Sequence, residues 1–274
     1  MFNAIEEQTT FATAERTRDR IDTAPRFQEA DAVRLNRMFR GSETVEMLDT
    51  LLREQMAGDV AIVSSFGAES AVLLHLVSRI DPNVPVLFLD TGKHFAETLA
   101  YRDELVARLG LTDLRNLTAD ADEITKRDEN GLRWSFDPDG CCEIRKVKPL
   151  AKALAGFDAT ITGRKAFQAS TRASLPRFEI DSTDKQGRLK INPLIDWTAE
   201  DIAAYIAEHD LPPHPLVAEG YPSIGCSPCT SKVAPGEDPR SGRWKGWNKV
   251  ECGIHVGDKS DVSTDLPPGY DPVF

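Results

Sequence analysis

Two short apolar runs, Val60–Ser64 (VAIVS) and residues 85–90 (PVLFLD), each lead through a small-residue turn into a stretch of helical spacing. Uninterrupted apolar runs of this length suit strands covered on both faces, as in a parallel sheet. Before the first run, Val45, Leu48, Leu52 and Met56 form one helical face, with Ser42 as the expected N-cap and Gly58 as the stop. After it, Val72, Leu73, Leu76 and Val77 form another, and a further helix is expected over residues 95–109. Residues 114–117 and 159–162 read as strands, the second preceded by a helix over CCEIRKVKPLAKAL (141–154). Thr198 and Asp201 form a capping box for a helix ending near His209. This alternation predicts an α/β fold with a doubly wound, mainly parallel sheet.

The charge balance narrows the function classes. With 33 basic against 44 acidic residues the chain carries a formal −11. That opposes general nucleic-acid binding, which needs a broad basic surface, and confines any bound anion to a local basic pocket. No apolar run approaches the roughly 18–20 residues of a membrane span. The first residues lack a signal-peptide apolar stretch, and Glu6, Glu7, Glu15 and Asp19 do not fit a transit peptide. A cytoplasmic protein with neither nucleic acid nor membrane as partner is expected. Residues 1–40 read as an N-terminal arm and 41–230 as the α/β domain. Residues 231–274, polar and rich in Gly and Pro, read as a mobile C-terminal tail.

The five cysteines fall as Cys141-Cys142, Cys226-Ser227-Pro228-Cys229, and Cys252 alone. In a reducing compartment, tight pairs read as metal ligands rather than disulfides. Four thiolates suit zinc or an iron–sulfur cluster equally well. Cys252 lies in a polar segment with little to pack against, which marks it for chemistry; an incidental free thiol is the plainer reading.

Ser64-Ser65-Phe66-Gly67 and Asp90-Thr91-Gly92 stand at strand carboxyl ends, where open α/β sheets bind ligands. Small-residue turns running into helices offer N–H groups to phosphate or sulfate. No Gly-Lys-Ser/Thr follows, so neither is a Walker A loop. The first is similar to the PP-loop of the adenine-nucleotide α-hydrolase-like superfamily, Ser-Gly-Gly-x-Asp-Ser, with Phe66 in place of the first glycine and Glu69 in place of the aspartate. A bulky Phe66 is expected to obstruct backbone approach to a pyrophosphate, pointing away from an ATP pyrophosphatase.

Taken in order, Cys141-Cys142-Glu143-Ile144-Arg145-Lys146, Cys226-Ser227-Pro228-Cys229 and Glu251-Cys252-Gly253-Ile254-His255 closely resemble the assimilatory adenylyl-sulfate (APS) reductases. SSFGAES, LDTG, Gly163-Arg164-Lys165, Ser170-Thr171-Arg172 and the segment from Arg240 to Arg243 extend the resemblance over roughly residues 60–255. It implies a [4Fe-4S] cluster on Cys141, Cys142, Cys226 and Cys229, with Lys146 coupling it to the sulfate of the substrate. It implies Cys252 as a nucleophile that forms an S-sulfocysteine, and thioredoxin or a glutaredoxin-like protein as donor. It further implies sulfite and AMP as products, within sulfate assimilation and cysteine biosynthesis. Ser64, Ser65, Phe66, Gly67, Asp90, Gly163, Arg164, Arg172, Arg240, Arg243 and His255 are the expected substrate-binding residues. Arg177 and Arg188 read as surface charges. A homo-oligomer is expected. Three alternatives stay open: a phosphoadenylyl-sulfate (PAPS) reductase or dual activity, an ATP-using thiolation ligase, and a zinc-stabilised protein without activity. The usual PAPS reductases lack both cysteine pairs, and Phe66 and the net charge oppose the ligase.

Overall fold

A computed structural model describes residues 26–254, apart from Lys185 and Val250. The chain enters through α1 (Glu29–Met38) and α2 (Thr44–Arg53). There follow β1 (Val60–Ser64), α3 (Ser70–Ser78), β2 (Val86–Asp90), α4 (Ala96–Leu109), β3 (Leu114–Thr118) and α5 (Ala121–Arg127). A continuous helical rod comprises α6 (Pro138–Cys142), a π-helical turn (Glu143–Val147) and α7 (Lys148–Leu154). The remainder is β4 (Ala159–Thr162), β5 (Phe178–Ile180), β6 (Leu189–Ile191), α8 (Ala199–Glu208) and α9 (Pro215–Ala218).

The six strands lie in the order β3-β2-β1-β4-β6-β5, parallel throughout except for the β5–β6 edge. The expected doubly wound α/β sheet is therefore the one observed. Strand pleating sorts the side chains onto two faces. Ile62, Val86, Phe88 and Ile161 join the core under Met47, Leu48, Leu51, Leu74 and Leu76. Ala61, Leu87 and Leu89 face Leu150 and Leu154 of α7 on the other side. The chain leaves β1 for β2 and β3 on one flank and returns to β4 on the other. The β1/β4 junction is thus the switch point where the carboxyl ends open a crevice.

Several boundaries differ from the sequence reading. The N-cap of α2 is Glu43, without a side-chain cap bond, so Ser42 does not cap it. The Thr198–Asp201 capping box forms as expected, with Thr198 Oγ1 accepting from the Asp201 N–H at 3.1 Å. Within the supposed arm, Phe27, Ala32, Leu35 and Phe39 enter the main core, so α1 belongs to the α/β body. At the other end Trp244 is buried, Ser231 donates its N–H to the Gly242 carbonyl, and Thr230 bridges Arg243. Residues 231–244 are therefore packed structure. Arg188, expected on the surface, is buried with Asp181 and Lys190 because the β5–β6 hairpin folds its charges inward as a mutually paired set.

Candidate active site

The β1/β4 crevice is a cavity of about 490 Å³. Its floor is the loop from Ser64 to Ser70; one wall runs from Gly163 to Arg172, and the other comes from residues 222–226, 238–244 and 251–254. The sequence-expected Ser64, Ser65, Gly67, Lys146, Gly163, Arg164, Arg172, Arg240, Arg243 and Cys252 all line it. Strands end at this crevice and helices begin there, so the cationic side chains converge on a place already rich in N–H groups.

Two expected residues do not face the cavity. Phe66 adopts φ +48°, which turns its ring into the core against Phe88, edge to face at 5.5 Å. The bulk expected to obstruct the loop is pointed away from it, and the loop surface is left to Ser65, Gly67 and Ala68. Asp90 accepts the Gly92 N–H at 3.0 Å and shapes its own turn instead of lining the wall. Arg164 reaches the cavity, but its guanidinium is held by Glu179 and by Asn192 Oδ1 at 3.1 Å; it braces β4 against β5 and β6. His255 lies outside the described residues.

Further cationic side chains lining the cavity are Lys146, Arg172, Arg240 and Arg243. Arg172 donates in a fork to Glu251, Nε at 2.8 Å and one terminal nitrogen at 3.0 Å, and its other terminal nitrogen bonds Gln168 at 2.7 Å. Arg240 reaches the same Glu251 carboxylate at 3.5 Å. Arg243 stacks over Trp244 at 4.6 Å, and a Cβ at residue 225 would run into its guanidinium, so a larger residue there would displace it. Lys165, next to Arg164 on the cavity wall, is paired with Glu69 at 2.8 Å and held below its usual range by burial.

A second, much smaller cavity adjoins the first and is lined by Cys141, Cys142, Cys226 and Cys229, together with Thr91, Arg145, Lys146, Trp134 and Trp244. All four thiols are free. Burial pushes Cys142 up to about 12 and raises Cys141 and Cys229. Burial acts on Cys226 in the same direction, but Lys146 and the Thr91 hydroxyl, whose oxygen is 3.3 Å from Sγ, pull it below its ordinary value. Lys146 in turn is desolvated, yet Cys226, Cys252 and Cys142 outweigh that and favour its charge. It stands in the π-helical turn and lines both cavities. Among the described residues no group of three His, Cys, Asp or Glu side chains is assembled to hold a metal ion. Four soft thiol donors around one space nevertheless fit a thiolate-ligated centre by their chemistry.

Sequence reasoning missed His94, Ile224, Gly225, Trp244 and the role of Glu251. His94 Nε2 donates to the Leu89 carbonyl, 2.8 Å away, and burial holds it below its usual range. The Gly225-Cys226 neighbourhood was the one available signal.

Fold and site together define a doubly wound α/β domain whose crevice gathers three arginines and a lysine beside Cys252. The chain belongs to the phosphoadenosine phosphosulfate reductase domain family, whose model matches residues 59–232. An adenosine 5'-phosphosulfate reductase of Mesorhizobium japonicum is 48% identical over 247 residues, covering 90% of this chain and 96% of the relative. One from Mycobacterium tuberculosis is 47% identical over 191 residues, covering 68% and 72%. The crystal structure of a PAPS reductase from Candida auris, a phosphate complex, superposes with TM-score 0.62 at 26% identity, over 77% of this chain and all of that one. Among the described residues no helix is long and apolar enough to cross a membrane.

Proposed function

We propose that this protein is an adenylyl-sulfate reductase of sulfate assimilation, using thioredoxin or a related dithiol protein as donor. The observation that carries the reading is that Cys252 lines the same cavity as Arg172, Arg240, Arg243 and Lys146. The nucleotide enters over the Ser64–Ser70 loop, and the three arginines and Lys146 hold its phosphosulfate. Arginine suits this because its planar fork meets two anion oxygens at once. The Cys252 thiolate attacks sulfur, the S–O bond to AMP breaks, and AMP leaves with that electron pair. Covalent capture as S-sulfocysteine divides one difficult step into two. A donor thiolate then attacks Cys252 Sγ, sulfite leaves, and the resulting mixed disulfide is resolved by the donor's second thiol.

Cys141, Cys142, Cys226 and Cys229 would hold a [4Fe-4S] cluster. Bound there, it supplies a charged, polarisable neighbour to Lys146, while thiols provide both electrons. Iron and acid-labile sulfide in the purified protein support this assignment; zinc without them overturns it.

The test is single turnover of anaerobically purified protein with sulfur-labelled APS and no donor. Label is expected on the Cys252 peptide, released as sulfite on adding thioredoxin, and absent from Cys252→Ser, which still binds AMP. No adduct despite bound nucleotide refutes the mechanism. The same experiment with PAPS decides between the two nucleotides.

A further inference from the structure

Glu251 stands where a substrate anion is needed. Its carboxylate takes the fork of Arg172, with contacts of 2.7–3.0 Å, and the edge of Arg240. The side chains are 12% exposed for Glu251, 11% for Arg172 and 21% for Arg240, so the pairing is largely shielded from water. Geometrically a carboxylate presents to such a fork the same two-oxygen edge that a phosphate or sulfate presents. The next residue is Cys252, which lines the cavity. The backbone segment that brings in the thiol therefore also brings its own anion to the cradle.

We infer that Glu251 is an intramolecular competitor of the substrate anion, so that nucleotide binding is an exchange of ion-pair partners. This rests on the proposed assignment of Arg172 and Arg240 to the phosphosulfate. In the ligand-free protein, Glu251 neutralises the two arginines and docks the segment carrying Cys252. Two anions on the same shielded arginines repel one another. An incoming nucleotide phosphate or sulfate therefore takes over the fork and releases Glu251. The anchor of the segment is given up at the moment its thiol is needed, which frees Cys252 to adjust onto the sulfur and later to meet a donor protein. The exchange also keeps the empty cradle from capturing free inorganic sulfate or phosphate, because either must first displace a covalently tethered rival.

The probe is AMP, titrated calorimetrically into the full-length protein and into Glu251→Gln and Arg172→Ala. Glu251→Gln keeps the size of the side chain and removes its charge. It is expected to bind AMP about ten-fold more tightly than the parent, a gain of roughly 1.4 kcal/mol. Arg172→Ala is expected to bind it more weakly. Unchanged or weaker binding by Glu251→Gln, with binding lost in Arg172→Ala, overturns the competitor and leaves the functional reading standing. Undiminished binding by Arg172→Ala removes the arginine cradle, and the inference with it. Hydrogen exchange of the parent protein decides the matter without any variant. Saturating AMP is expected to lower amide protection over residues 246–254, whereas unchanged or increased protection there overturns the exchange.

Discussion

The clearest perturbation is Asp128→Asn, because one carboxylate fastens the cysteine-bearing rod to the sheet. Asp128 is buried, its side chain 1% exposed, and accepts from Arg145 at 2.7 and 3.1 Å and from the Arg133 N–H at 2.8 Å. Arg145, 12% exposed, also donates to the Thr91 carbonyl at 2.8 Å, so the pair joins the rod to the loop after β2. Asparagine can still accept from Arg133 but leaves Arg145 as a shielded charge without its counterion. Breaking a buried pair in this way typically costs about 3–5 kcal/mol. Arg145 keeps its bond to Thr91 and some access to water, so the lower end, about 3 kcal/mol, applies. In a domain of this size that is roughly 6–12 °C in Tm. Burial pushes the Asp128 carboxyl up, but the Arg133 N–H and Arg145 outweigh it and hold it below the usual range. A carboxyl lowered in the folded state contributes stability above its unfolded value, about 3.9, and loses it as pH falls through the folded value. The gap between parent and variant in urea unfolding should thus be full at pH 7 and at pH 5.5 and shrink below about pH 4. A difference under about 0.5 kcal/mol at pH 7, or a gap unchanged in acid, refutes the argument. A double-mutant cycle with Arg145→Met separates the pair from general damage.

Further outcomes follow from other contacts. Gly225→Ala is expected to push Arg243 out of its place against the backbone and lower kcat/KM by roughly ten-fold or more, with little change in Tm; an unaltered kcat/KM removes Arg243 from the site. His214 caps α9, accepts from the Leu216 N–H and bonds Thr98, and burial pulls it down to about 4. Only the unfolded chain gains its proton between about pH 6.5 and 4, so stability falls as pH drops through that window, by up to about 1.4 kcal/mol per unit. His214→Asn, which can still cap, should flatten that slope in urea midpoints; an equal slope shows the acid sensitivity to lie elsewhere.

The sheet was legible where burial on both faces left an apolar record. β1, β2 and β4 announce themselves in VAIVS, PVLFLD and ATIT, and their carboxyl ends locate the crevice. β5 and β6 did not, because three-residue strands carrying Glu179 and Lys190 have no periodicity to read; Lys190 is buried only by virtue of Asp181. α1 was hidden by its charges, since the side chains it buries are few and partly outside the helix itself. At the site, residue types and order carried the cysteines and arginines, but not their allegiance. That Arg164 serves Glu179 while Arg172 holds Glu251, or that Phe66 turns inward on a positive φ, depends on neighbours far apart in sequence.

The π-helical turn between α6 and α7 sets a limit on how related chains can differ in length. Such a turn amounts to one surplus residue in an otherwise regular helix. Deleting any one residue of Glu143–Val147 would let the helix close regularly, with no loss of backbone bonds. Because the surplus residue is absorbed within the turn, the two halves would keep their facing, Cys141 and Cys142 toward their cavity and Leu150 and Leu154 toward the sheet. What would be lost is the wide turn in which Lys146 stands between the two cavities. A one-residue gap here therefore costs a chain the placement of its lysine while its cysteines and core residues stay in step.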